Sequence, residues 1–156
     1  MKWIAVDYGE RRTGLAVCDA SELIVTPVTP QIEEKSVYKV AEAAADARLA
    51  LGADGVVCGL PRNMDGTEGS RCVKSRRFAA RLATACGVPV VLWDERRTTV
   101  TAAGILSANS TFGADRKARL DSVSAAVILE SFLAWRKAHP GEEPPEVAAP
   151  TAPEQA

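Results

Sequence analysis

A chain of 156 residues, 47% hydrophobic and 25% charged, suits one globular domain with a core of its own. No apolar run approaches the ~18 residues of a membrane span, and Met1-Lys2-Trp3 leads into a strand pattern rather than a signal peptide, so membrane and secretory classes are set aside. The formal net charge of -1 hides an asymmetry: between Arg62 and Arg119 eleven cationic residues face five acids, a balance that points to a polyanionic partner.

Trp3 to Val6 is a short apolar run that reads as a buried strand, closed by Asp7. Gly9, Arg11, Arg12 and Gly14 make a corner, and a second strand over Gly14 to Asp19 completes a hairpin. Leu23 to Ile32 reads as a third strand, and Pro27 and Pro30 assign it to a sheet edge because proline removes ladder donors. Ser36 is placed to cap a helix whose apolar positions run from Val37 to Leu51, with Gly52 as its stop. Gly55 to Gly59 is apolar enough for a strand buried on both faces.

A loop of turn formers follows, Leu60 to Gly69, then a helix from about Ser70 to Cys86 and a strand over Val88 to Trp93. The pattern continues with a helix near Val100 to Ala108 and a polar loop over Asn109 to Lys117. A final helix from about Arg119 to Lys137 carries its apolar stripe on Leu120, Val123, Val127, Ile128, Phe132 and Trp135. From His139 to Ala156 the Pro- and Glu-rich composition reads as a disordered tail, which leaves 1–138 as the folded domain. Strand, strand, strand, helix, strand, helix, strand, helices is an α/β order with a mixed five-stranded sheet flanked by helices.

With right-handed crossovers, the first, fourth and fifth strands are parallel and end on one edge of that sheet. That edge collects Asp7, the loop bearing Asn63, and Glu95, while the last helix brings Asp121. Three carboxylates without histidine or thiol make a hard-oxygen site suited to Mg²⁺ or Mn²⁺, and two such ions activate a water and stabilise a leaving oxygen of a phosphodiester. The four cysteines form no C-x-x-C pair and only one histidine is present, which argues against zinc; they read as small buried hydrophobes in a reducing cytoplasm. Asp94 and Glu95 project to opposite faces if the strand continues, and Glu95 is chosen for the metal because Asp94 has arginine neighbours. Each acid also has a plain reading, as a turn cap, a strand-end ion pair or a helix-dipole partner.

Asp7-Tyr8-Gly9 with Arg12 and Gly14, Gly59-Leu60-Pro61-Arg62-Asn63-Met64-Asp65-Gly66-Thr67, Asp94-Glu95-Arg96 with Thr98 and Thr99, and Asp121 before Ala125-Ala126 resemble the YqgF family, also called RuvX. The resemblance spans residues 1 to about 135 in order. It implies a ribonuclease-H-like fold related to Holliday junction resolvases. It also implies Asp7, Glu95 and Asp121 as the metal-binding acids, and a nuclease role in maturing the 5′ end of 16S ribosomal RNA. Arg12, Arg62, Asn63, Arg96 and Thr98 are the expected substrate contacts, with pre-ribosomal particles as partners and a monomer or homodimer as the assembly. One departure stands out: junction resolvases carry their second acid on the fourth strand, which here ends Cys58-Gly59-Leu60-Pro61. The competing readings are a branched-DNA resolvase, a non-catalytic RNA-binding assembly factor, and the phosphate loop of two-domain ATPases, which this single domain is too short to complete.

Overall fold

The computed structural model describes residues 1–98 and 114–151, with side chains described for 1–97 and 122–151. Its elements are β1 (Trp3–Asp7), β2 (Arg12–Cys18), β3 (Val25–Glu33), α1 (Val37–Leu51), β4 (Gly55–Leu60), α2 (Ser70–Cys86), β5 (Val90–Asp94), a single 3₁₀ turn (Glu95–Thr98), α3 (Ala114–Ala138) and β6 (Val147–Ala148). The sheet order is β3-β2-β1-β4-β5-β6. β1, β2 and β3 pair antiparallel, while β1, β4 and β5 pair parallel, with Val6 beside Cys58 and Gly59 beside Trp93.

Strand alternation divides the core into two layers. Trp3, Ala5, Val57 and Trp93 point to one face and pack under α3, through Ala125, Ile128, Leu129 and Phe132. Ile4, Val6, Val56, Cys58 and Leu92 point to the other face and pack against α1 and α2, through Val40, Ala44, Phe78 and Leu82. Ser36 caps α1 by accepting from the Lys39 amide, and Gly52 and Gly87 close α1 and α2 in the left-handed conformation. The proline-bearing β3 lies at the sheet edge, as its composition predicts.

Three expectations are corrected. β3 begins at Val25 rather than Leu23, because Asp19 Oδ1 accepts from the Leu23 and Ile24 amides, both at 2.8 Å, and holds that segment in a turn. α3 begins at Ala114 rather than near Arg119: Ala114, Arg116 and Lys117 are strong helix formers and Asp115 is an acid in the first turn, so the helix extends without an apolar stripe. The sheet has six strands, not five. The sixth comes from the segment read as a disordered tail, where Val147 and Ala148 pair antiparallel with Val91 and Val90, and the Leu92 amide donates to the Glu146 carbonyl. An open β5 edge offers unpaired backbone groups, and two residues suffice to cover part of it. The helix expected over Val100 to Ala108 lies outside the described residues.

Phe132 is fully buried between Trp3 and Trp93, edge-on to both with centroids at 4.8 and 5.3 Å. Phe132→Ala is expected to cost about 3–5 kcal/mol, read as a lower urea midpoint at unchanged slope.

Candidate active site

The parallel register of β1, β4 and β5 sets the site, since all three strands run to the same edge. Asp7 ends β1 and shares the face of Trp3 and Ala5, so it belongs to the α3 side of the sheet. Gly59 lies on that face of β4. Glu95, the first residue beyond β5, lays its carboxyl group over Gly59: a β-carbon built there would stand 3.1 Å from Glu95 Oε2 and 2.6 Å from Ile128 Cδ1 of α3. Gly59 therefore leaves the seat that Glu95 takes.

Beneath them Cys58 is fully buried, and its thiol is pushed far up, first by burial and then by the charges of Asp7 and Glu95. One sulfur thus feels both carboxylates. Closed off from solvent and with its thiol shifted up, Cys58 fits a buried structural cysteine. Burial also raises the Glu95 carboxyl above its ordinary value, opposed by the Arg71 guanidinium and reinforced by Asp94.

Asp94 takes the opposite course. Arg96 grips it with Nη2 at 2.7 Å and Nε at 3.1 Å, its own amide adds a bond at 3.0 Å, and Arg62 Nη1 stands at 3.4 Å. These donors, Arg96 foremost, hold Asp94 below the usual carboxylate range. Of the adjacent pair, one acid is neutralised by arginines and the other is desolvated at the strand ends.

The expected substrate contacts fall into distinct places. Arg12 is half-exposed and pairs with Glu33 at 4.0 Å. Arg62 is engaged by Glu68 at 3.3 Å, by Asp94 and by Glu146, while Arg76 bonds Glu68 at 2.7 Å and Glu146 at 2.9 Å. Asn63 shapes its loop: Nδ2 donates to Thr67 Oγ1 at 2.9 Å, the backbones of Asn63 and Thr67 pair, and Gly66 turns the chain at φ +89°. Arg96 reaches that turn, with Nη1 3.4 Å from the site of a Gly66 β-carbon. The side chains of Thr98 and Asp121 lie outside the described residues. In the α3 backbone Asp121 stands seven residues, about two turns, before Ile128.

A cleft of about 430 Å³ opens beside Glu95. Arg62, Arg71 and Arg96 line it, together with Gly69 and Ser70 at the start of α2, an N-terminus that no side chain caps. Helix N–H groups and three guanidinium groups, two of them already paired with carboxylates, give this cleft a chemistry suited to an anion. Arg71 was not singled out from sequence. Its signal was its place in the first turn of α2, straight after the glycine-containing loop.

A family model described as "RuvX: Holliday junction resolvase" matches residues 1–135. The chain belongs to the RuvX family. RuvX relatives include proteins named "Putative pre-16S rRNA nuclease". The one from Syntrophus aciditrophicus is 38% identical over 133 residues, 85% of this chain and 88% of the relative. Those from Anaeromyxobacter dehalogenans and Rhodopirellula baltica are 40% and 41% identical, over 85% and 83% of this chain and 96% and 74% of theirs. Among solved structures, Thermus thermophilus RuvC in complex with a Holliday junction substrate superposes at a TM-score of 0.59 with 14% identity, over 89% of this chain and 97% of that one. A second Thermus thermophilus RuvC structure gives 0.54 at 13% identity. The RuvX chain thus has the ribonuclease-H-like fold.

Two predictions follow from this geometry. Gly59→Ala is expected to destabilise the RuvX fold by about 1–3 kcal/mol, as Ile128 and Glu95 give way, read by chemical denaturation. For Glu95 the folded-state pKa lies above the unfolded one, so the folded chain binds the extra proton and loses stability as pH rises through that window. Glu95→Gln in chelator should therefore raise Tm at pH 7.5, and the gain should shrink towards pH 4.

Proposed function

We propose that the chain is a metal-dependent nuclease that hydrolyses phosphodiester bonds in structured RNA, in the 5′-end maturation of pre-16S ribosomal RNA. The observation that supports this is the placing of Asp7, at the end of β1, and of the Glu95 carboxyl group, over Gly59 of β4, on the α3 side of one sheet edge, beside a cleft lined by three arginines. The names borne by the relatives supply the substrate, and the family and fold supply the class of reaction.

The donors fit a hard divalent cation. Both described acids offer oxygen only, the donor type that a hard divalent cation takes. Among the described residues no three potential ligands converge; Asp121 is the proposed third. Asp7, Glu95 and Asp121 would hold one or two Mg²⁺ or Mn²⁺ ions, which supply water activation and charge neutralisation at the leaving oxygen. Arg71 and the α2 N-terminus bind the phosphate next to Glu95. Arg96, braced by Asp94, presents its guanidinium at the rim. Arg62 joins them when a phosphate replaces one of its three carboxylates. Four free cysteines suit a reducing, cytoplasmic setting, and the relatives' names suit pre-ribosomal particles as partners.

A branched-DNA resolvase is the second reading, favoured by the family description and by the RuvC fold. The purified protein is incubated with a precursor 16S rRNA fragment and with a four-way DNA junction, in Mn²⁺ and then in chelator. Metal-dependent cleavage of the RNA is expected, and Asp7→Asn or Glu95→Gln should reduce it at least a hundredfold while the circular-dichroism spectrum is retained. Cleavage of the junction alone would move the assignment to the resolvase. Cleavage of neither, with rRNA maturation intact in cells carrying Asp7→Asn, would assign a non-catalytic assembly role. Arg96→Ala should weaken RNA binding and lower its salt slope by about 1.

A further inference from the structure

The opposite face of the same edge carries a second basic cleft, of about 460 Å³. Tyr8 follows Asp7 directly, and alternation turns its side chain to the α2 side, where the ring stacks on Phe78 with centroids at 4.3 Å and planes 8° apart. Phe78 itself is fully buried, so the Tyr8 ring is fixed from beneath while it lines the cleft. Arg11, Lys35, Lys74 and Arg77 surround it. Glu10 is the single acid of that lining and pairs with Lys74, both side chains more than half exposed, so a phosphate replaces it at little cost.

Arg71, Lys74 and Arg77 stand at i, i+3 and i+6 on α2, one side of the helix, in steps of about 4.5 Å. The first lines the Glu95 cleft and the other two line the Tyr8 cleft. One cationic row therefore joins the candidate catalytic edge to a braced aromatic ring. Cations that follow a backbone towards an aromatic platform are the two parts of a single-strand binding site.

We propose that this row carries an unpaired RNA strand away from the Glu95 cleft, and that Tyr8 stacks a base of that strand close to the phosphate to be cut. The substrate is then RNA that is single-stranded on one side of the cleavage position. The inference rests on the nuclease reading for the direction of the strand, and its test is made on binding alone, in chelator.

Fluorescence anisotropy is measured with a short single-stranded RNA and with the same RNA carrying an abasic nucleotide at each position in turn. Tyr8→Leu keeps an apolar side chain on Phe78 and removes the ring; it is expected to bind about tenfold more weakly, with Tyr8→Phe restoring affinity. One abasic position should weaken the wild type by a similar factor and leave Tyr8→Leu unchanged. Lys74→Ala with Arg77→Ala, both on the surface of α2, should lower the salt slope by about 1.4, two single-strand phosphates. Wild-type affinity for Tyr8→Leu, losses from the abasic nucleotide and Tyr8→Leu that simply multiply, or an unchanged salt slope would each overturn the proposal. The stacking signature without metal-dependent cleavage would sink the nuclease reading alone; cleavage without the signature would sink this one alone.

Discussion

Parallel pairing of β1, β4 and β5 is the constraint on which the site depends. In-register parallel strands must end together, and here they end with Asp7, with Gly59-Leu60 and with Asp94-Glu95. Residues separated by some ninety positions are thereby delivered to one edge by backbone hydrogen bonds alone. The two packed layers hold the sheet rigid from both sides, so the edge has little freedom to open or shift. Alternation then sorts the edge residues: Asp7, Gly59 and Glu95 belong with α3, and Tyr8 belongs with α2.

The electrostatics follow from that sorting. Asp94 sits among guanidinium groups and gives up its proton easily, while Glu95, one residue on, is stripped of water and holds its proton longer. The contrast arises from environment and not from chemistry. Around them, Glu68 and Glu146 bind Arg62 and Arg76 in a compact network, and Arg76 with Arg62 holds the Glu68 carboxyl down at about 2. Arg62, Arg76 and Arg96, three of the cations counted from Arg62 to Arg119, are thus already matched by carboxylates of the chain itself. Among the described residues of that segment, Arg71 and Arg77 line the two clefts and stand outside this network.

The strand and helix order was legible because its signals are local. Apolar runs of four to six residues, glycine stops and a serine cap were enough to place β1, β4, α1 and α2 close to their observed bounds. The pairing of Asp94 with arginine was also legible, from adjacency. Three features were not. Arg62 looked like a free cation because one of its partners, Glu146, lies 84 residues further along. The sixth strand was hidden because Val147-Ala148 is too short to show a period among prolines and glutamates. The weight on Gly59 was unreadable, since a glycine in an apolar strand does not announce which neighbour needs the room.

That missing side chain has a consequence for how such a site can change over time. A side chain rooted on position 59 would press on Ile128 Cδ1 and on the carboxyl group that reaches in from Glu95, so positions 59 and 95 draw on the same space. Migration of the acid from one strand to its neighbour is then an exchange of two linked substitutions. A single replacement at either position leaves the pocket overfilled or short of an oxygen donor, so the effects of changing both should not simply add.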